Sequence, residues 1–344
     1  MVVSGNSEPL SDALGTDFDV VVVGAGVVGL NAALALQSTG RRVAIVTAEA
    51  IDETTSNVAA AVWFPTAVGP RDRVIDWGQS TLETLEDMAR EHPDAGVLFR
   101  ETVMLYRAHP GRPWWTRAVG EVRDAAAHEL PSTYSHGLTF TVPLVEMPVH
   151  LRWLADRFVA AGGRVHLHRL GSLDDLAGIA PVVVNCSGLG ARDLVGDPEV
   201  FPIRGQIVRM TNPGLDRSLR DEHHPEGYTY VHPRTSDVIL GGTVESGRTE
   251  LAADDETTRA IIARCTVLAP ALARAELLAP AVGLRPGRES VRLERDDHAV
   301  AGSTVIHDYG HGGAGVTLGW GCANEVIRLL DEAGSQTDPR PVAG

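Results

Sequence analysis

Cysteine is scarce in this chain: there are three in 344 residues, at Cys186, Cys265 and Cys322. An odd and widely spaced set makes no disulfide framework and has no zinc-ligand spacing, which points to a reducing compartment. Long hydrophobic runs are missing too. No apolar stretch approaches the roughly 18 residues that a membrane span needs. The N-terminus lacks a basic segment followed by an apolar core, so no secretion signal is read there, and Pro341-Val342-Ala343-Gly344 is not a peroxisomal address. A cytoplasmic location is expected. Positive charge is also short. The formal net charge is −15, without a basic cluster. Nucleic acid is therefore not an expected partner, because phosphate binding needs a positive face, and the acidic excess serves solubility. No internal repeat or low-complexity stretch is present. With 44% hydrophobic and 22% charged residues the composition is that of a soluble globular protein, and the length suits two domains.

The chain is organised around Phe18 to Glu49. Phe18-Asp19-Val20-Val21-Val22-Val23 has the length and β-branching of a strand. Gly24-Ala25-Gly26-Val27-Val28-Gly29 follows directly, then a helical Leu30 to Leu36, then a second strand, Val43 to Val46. Strand, glycine turn, helix and strand form one βαβ unit, the setting in which Gly-x-Gly-x-x-Gly signifies dinucleotide binding. Gly24 allows the tight turn, Gly26 admits a pyrophosphate to the backbone, and Gly29 lets helix and strand pack closely. The helix N-terminus offers free N–H groups to phosphates. An acidic residue about 20 positions on binds ribose hydroxyls in such units, and Glu49 stands there. The motif alone does not separate NAD from FAD, and a plain glycine-rich turn is the alternative to both.

Further on, Thr54, Thr55 and Ser56 form a hydroxyl cluster that suits either a helix cap or pyrophosphate oxygens, and the small Ala59, Ala60 and Ala61 let backbone approach a flat ring system. Asp72 to Glu91 reads as an amphipathic helix, Val97 to Tyr106 as strands, Gly137 to Val142 as a strand and Pro148 to Ala161 as a helix ended by Gly162-Gly163. Trp114 and Trp115 sit in a loop and are taken as core. Pro181 to Gly190 is a second buried strand running into small residues, which places a sheet C-terminus beside a ligand. Pro202 to Met210, Tyr228 to His232 and Val238 to Gly242 are strands of an antiparallel second domain, and Asp254 to Leu268 is a helix. Gly310 to Thr317 is another glycine-rich turn, leading to a helix from about Cys322 to Leu330. Met1 to Thr16 and Gln336 to Gly344 read as flexible ends.

The segments Val23-Gly24-Ala25-Gly26-Val27-Val28-Gly29-Leu30, Asn57-Val58-Ala59-Ala60, Val184-Asn185-Cys186-Ser187-Gly188, Arg204-Gly205-Gln206, Leu240-Gly241-Gly242, Gly283-Leu284-Arg285-Pro286 and His307-Asp308-Tyr309-Gly310-His311-Gly312-Gly313, in this order, carry a resemblance. The chain resembles the D-amino-acid oxidase family of FAD enzymes, which includes D-aspartate oxidase, from Val20 to Leu330. The resemblance implies an α/β fold: a Rossmann-like FAD-binding domain assembled from residues 17–65, 143–200 and 283–332, and an α+β substrate domain with a mainly antiparallel sheet from 66–142 and 201–282, leaving 1–16 and 333–344 as tails. It implies non-covalent FAD, a D-amino acid and O2 as small-molecule partners, and a possible homodimer. The cofactor would lie against Gly24, Ala25, Gly26, Val27, Val28, Gly29, Glu49, Thr54, Thr55, Ser56, Ala60, Ala61 and Val62. Leu170, Ser187, Gly188, Gly310, Gly312, Gly313, Ala314, Gly315, Val316 and Thr317 complete that set.

By the same resemblance Arg285 pairs with the substrate carboxylate, a role that suits a guanidinium because it forms two parallel charge-assisted bonds; an ordinary surface arginine is the alternative. Tyr230 gives a hydroxyl to the same carboxylate, and the Gly313 carbonyl accepts from the amine. Tyr228 is read as core, and Glu226 occupies the point where many relatives carry a lid tyrosine. His307 and His311 are read as neutral and structural, with no side chain acting as acid or base, and Arg288 and Arg292 as structural. The implied reaction is hydride transfer from Cα to flavin N5, giving a 2-oxo acid, ammonia and hydrogen peroxide. Phe64 replaces a polar pocket group of mammalian relatives, and Val244-Glu245 follow Gly241-Gly242-Thr243 where aspartate-type relatives carry an arginine. A buried second carboxylate would lack its cation, so neutral, apolar D-amino acids are expected. D-aspartate oxidase and glycine or sarcosine oxidase are the alternatives, with Arg248 or Arg220 the first candidates for a missing cation. An NAD-dependent dehydrogenase is a remote alternative, and a non-catalytic nucleotide-binding protein would have lost the Arg285–Tyr230 clamp.

Overall fold

A β-branched apolar run of four valines can only be satisfied by burial on both faces, and the fold gives it that. In the computed structural model, which describes residues 10, 14–15, 17–65, 68–300 and 302–336, Val20–Val23 is buried at every position in the middle of a six-stranded sheet. It pairs in parallel with Val43–Thr47 (Val20 opposite Val43) and with Val182–Asn185 (Val20 opposite Val182). Arg164–Leu167 and Ser303–Tyr309 extend the parallel set on either side, and Arg292–Val300 closes it antiparallel. The parallel strands point the same way, so Gly24, the end of Val182–Asn185 and the end of Ser303–Tyr309 gather along one edge. That edge is where open α/β sheets bind ligands.

The second sheet has nine strands and is mainly antiparallel, with one parallel pairing between Val97–Tyr106 and Ser218–Asp221. Phe201–Thr211 is bonded to Asp237–Gly241, Glu245–Ser246 and Leu277–Gly287, while Thr229–Pro233 lies between Asp237–Gly241 and Ser218–Asp221. Val97–Tyr106 continues the sheet to His136–Val145. The Leu277–Gly287 strand, with Arg285 opposite Ile203, crosses the boundary expected at residue 283, and His136–Val145 crosses the one at 143. One apolar cluster joins the two sheets, from Val20 and Leu30 to Trp63, Phe64, Phe140 and Val142.

Two expectations about the ends are corrected. Leu10 and Leu14 are buried, packed with Phe18, Val21 and Leu173, so that part of 1–16 is tied to the core by apolar burial; most of the remaining stretch lies outside the described residues. The last helix is Gly315–Gln336, not about 322–330. Its first turns are glycine-rich for packing: a Cβ on Gly321 would overlap the Trp77 backbone of helix Arg71–Glu91, and one on Gly319 would lie 2.7 Å from Asn31 Nδ2. Those glycines hid the helix from a propensity reading. The expected frayed end beyond Gln336 lies outside the described residues.

Candidate active site

The first glycine turn joins Val20–Val23 to helix Val27–Ser38. Gly24 has φ +105°, and a Cβ there would lie 2.6 Å from the Cys186 carbonyl oxygen. A Cβ on Gly29 would overlap the Gly24 carbonyl. The turn therefore tolerates no side chain at either position. Gly26 is the helix N-cap and has no side chain to cap that end, so the N-terminal N–H groups of Val28 and Gly29 stand at the positive end of a helix dipole. Ser56 bridges into the turn: its Oγ accepts from Val27 N at 3.0 Å and lies 3.1 Å from the point a Gly26 Cβ would take. These residues fit the pyrophosphate of a dinucleotide, since a cradle without Cβ atoms at a helix N-terminus, with a hydroxyl beside it, is what phosphates require.

The other cofactor candidates lie around this edge. Thr54 Oγ1 donates to Ile51 O, and Thr55 Oγ1 donates to Leu284 O. Glu49 lies just beyond Val43–Thr47, its side chain 54% exposed and 3.9 Å from Arg169. Leu170 is buried among Leu173, Leu176 and Val183, leaving only its backbone for a ligand. Ser187 Oγ donates to Asn185 Oδ1 at 2.6 Å, and Gly188, at φ +58°, faces Pro286. The second glycine turn leads from Ser303–Tyr309 into helix Gly315–Gln336, with Gly310 and Gly312 at φ +83° and +54° and Ala314 fully buried. Thr317 is a strut: its hydroxyl accepts from Phe64 N and donates to Phe64 O, at 3.1 and 3.0 Å. At the turn, Asp308, His311 and Cys322 bring their polar atoms within 4.8 Å of one another, all three buried.

A cavity of about 490 Å³ opens between the two sheets. All four substrate-binding candidates line it: Arg285, Tyr230, Gly313 and Phe64. So do Thr55, Ala60, Ala61, Val62 and Val316 from the cofactor set. Two glycines in the antiparallel sheet make room for the polar pair. A Cβ on Gly205 would collide with the Arg285 guanidinium, and one on Gly241 would fall inside the Tyr230 ring. Arg285 donates to the Thr243 carbonyl at 3.2 Å, and among the described residues no carboxylate lies within ion-pairing distance of it. Gly313 is adjacent, with the point for a Cβ 3.6 Å from Arg285 Cδ. Tyr230 is 4% exposed. Burial pushes its hydroxyl pKa up, against the pull of Arg285 and Arg220, so it stays a donor. Phe64 packs on Trp115 with ring centroids 5.0 Å apart.

Several cavity residues were misread or missed. Trp114 and Trp115, taken as core, line the cavity, Trp115 being buried as well. Tyr228, read as core, lines it too. Arg220, Glu222 and His232 reach it from the strands Ser218–Asp221 and Thr229–Pro233 and the turn between them. Of the two arginines named above as candidates for a missing cation, Arg220 is the one on the cavity, opposite Tyr230; for Glu222 and His232, which were missed, the available signal was a period of two through Tyr228, Tyr230 and His232. His232 is held well below the usual histidine range, first by burial and then by Arg220, and is neutral. Arg248 lies away from the cavity, paired with Glu245 and Glu250. Glu226 is exposed and does not line the cavity. His307 and His311 are off the cavity as well, His307 with its pKa lowered chiefly by burial. Arg288 pairs with Asp197 and Glu199, and Arg292 with Glu294 and the Tyr309 hydroxyl.

Comparison with known proteins gives the family and the fold. The profile of a family described as FAD dependent oxidoreductase matches residues 19–329. The chain is 48% identical over 314 residues to a D-amino-acid oxidase of Rubrobacter xylanophilus, covering 91% of this chain and 96% of that one. It is 42% identical over 315 residues to a D-amino-acid oxidase of Streptomyces coelicolor, covering 91% and 97%. Among solved structures it is similar in fold to a glycine oxidase from Geobacillus kaustophilus, with a TM-score of 0.78 at 19% identity, over 92% of this chain and 95% of that one.

Proposed function

The chain belongs to the family of FAD dependent oxidoreductases, and from that premise we propose that it oxidises D-amino acids with neutral, apolar side chains to 2-oxo acids, releasing ammonia and hydrogen peroxide. The observation that carries this reading is Arg285: a guanidinium on the cavity wall without a carboxylate partner among the described residues, beside the Tyr230 hydroxyl and the Gly313 backbone. A cation left unpaired in a half-buried site is costly unless a ligand completes it.

The substrate carboxylate accepts two parallel bonds from Arg285 and a third from the Tyr230 O–H. The amine donates to the Gly313 carbonyl. The side chain lies toward Phe64, Trp114 and Trp115. Two anchored ends and a shaped side-chain wall make three points of contact, which is what discrimination between enantiomers requires. FAD, when bound along the glycine turns, supplies the two-electron acceptor for the Cα–H bond and the route of those electrons to O2. The protein contributes position, a dry cavity and fixed dipoles. Substrate entering as the neutral amine needs no side chain to take its proton, and His232, held neutral by burial, remains a spectator. An apolar preference is supported by the aromatic wall and by the pairing of Arg220 with Glu222, which leaves no second unpaired cation among the described residues that line the cavity. Three buried thiols support a reducing, cytoplasmic setting, and no helix among the described residues is long and apolar enough to cross a membrane.

The test is a peroxide-coupled assay of the purified flavoprotein on D- and L-alanine, extended to D-methionine, D-valine, D-aspartate, glycine and sarcosine. Peroxide from the D forms with apolar side chains is expected. Activity on the L forms alone overturns the stereochemical reading, and a preference for D-aspartate overturns the substrate class.

A further inference from the structure

The cavity holds a second pair of charges that the chemistry above leaves unused. Arg220 lies on the strand Ser218–Asp221 directly opposite Tyr230. Its side chain is 6% exposed. The guanidinium stands 4.2 Å above the Phe64 ring, a separation at which a cation is attracted to the ring face. Its Nη2 donates to Glu222 Oε1 at 2.8 Å, and the Tyr228 hydroxyl, itself in contact with Arg220, donates to the same oxygen at 2.9 Å. Arg220 Nε is buried and has no acceptor among the described residues. Glu222 is the looser partner, its side chain 30% exposed.

We propose that Glu222 determines substrate specificity by occupying Arg220, so that the side-chain end of the cavity is electrically neutral and reserved for uncharged side chains. This rests on the D-amino-acid oxidase reading and deepens it. A guanidinium does not lose its proton in a protein, so a buried Arg220 must carry a counter-charge. Glu222 provides one from within the chain. A substrate with an acidic side chain has to displace a carboxylate already bonded at 2.8 Å, and a basic side chain has to draw Glu222 away from Arg220. Both are excluded by the same pair, which is specificity by repulsion as well as by fit. The charges at the other end balance separately, one cation on Arg285 for the one α-carboxylate.

The pair can be opened from either side. Glu222→Gln keeps an acceptor for Tyr228 and removes the charge, leaving Arg220 for the substrate. The ratio of kcat/KM for D-aspartate and D-glutamate to that for D-alanine should then rise about tenfold or more, mostly through KM, as expected for a regained charged hydrogen bond. Arg220→Met frees Glu222 instead, and the same ratio measured with D-lysine and D-arginine should rise. Each variant is compared at equal flavin content. A ratio that stays within about twofold of wild type in Glu222→Gln overturns the proposal. The unaltered holoenzyme gives a second measurement: competitive inhibition by pyruvate should be stronger than by oxaloacetate, and the reverse order overturns it. Absence of peroxide from every amino acid with wild type is a different result, which sinks the oxidase reading and not the masking of Arg220 alone.

Discussion

Two arginines reach one cavity and meet opposite surroundings. Arg285, on Leu277–Gly287, has a single carbonyl acceptor and no carboxylate among the described residues. Arg220, on a neighbouring part of the same sheet, is bound to Glu222 and Tyr228 and lies over Phe64. A charge out of water needs a partner. Where the chain supplies one, the cation is part of the wall; where it does not, the position is kept for a ligand. The polar end and the apolar end of the cavity are distinguished by this difference and not by residue type.

Removing the unpaired cation breaks the comparison most strongly. Arg285→Met should lower kcat/KM for D-alanine by about 10²- to 10³-fold, with KM carrying most of it, since stripping one partner from a desolvated charge pair costs about 3–5 kcal/mol. A loss under tenfold would erase the distinction. Gly205→Ala acts on the same group from behind. Its Cβ would occupy the guanidinium's position, and a displacement of about 1 Å costs up to about 10²-fold, measured at equal flavin content. An unchanged KM would show that Arg285 has another resting place. Tyr230→Phe removes one hydrogen bond to a charged group, for about a tenfold rise in KM, and Tyr228→Phe, on the paired side, should change D-alanine kinetics less.

The smallest effect is with pH. His232 has its pKa lowered by burial and by Arg220, so it is neutral in the neutral range and takes a proton only as the pH falls far below 6.5. kcat/KM for D-alanine should show no step near that value that disappears in His232→Gln. A step that did disappear would mean that Arg220 leaves this region less positive than its single acidic partner implies.

Local sequence carried the nucleotide side of the molecule well. Val20 to Glu49 specifies strand, turn and helix through neighbours only, and Gly24 and Gly29 are required by steric contacts within that unit and the adjacent strand. Arg285, Tyr230, Gly313 and Phe64, distant in sequence, line one cavity. What could not be read depends on register. Glu222 and His232 join Arg220 in the cavity because Ser218–Asp221 pairs with Thr229–Pro233, and Trp114 and Trp115 because their loop returns to Phe64 and Phe140. The final helix was shortened in the reading because Gly315, Gly319 and Gly321 look like turn residues until the helices they pack against are in place.

The most direct test separates binding from turnover. Pyruvate, which offers a carboxylate without an amine, is titrated into the flavoprotein and followed by the visible spectrum for wild type, Arg285→Met and Arg220→Met. The account predicts a Kd weakened about 100-fold or more in Arg285→Met and within a few-fold of wild type in Arg220→Met. Weakening confined to Arg220→Met would contradict it.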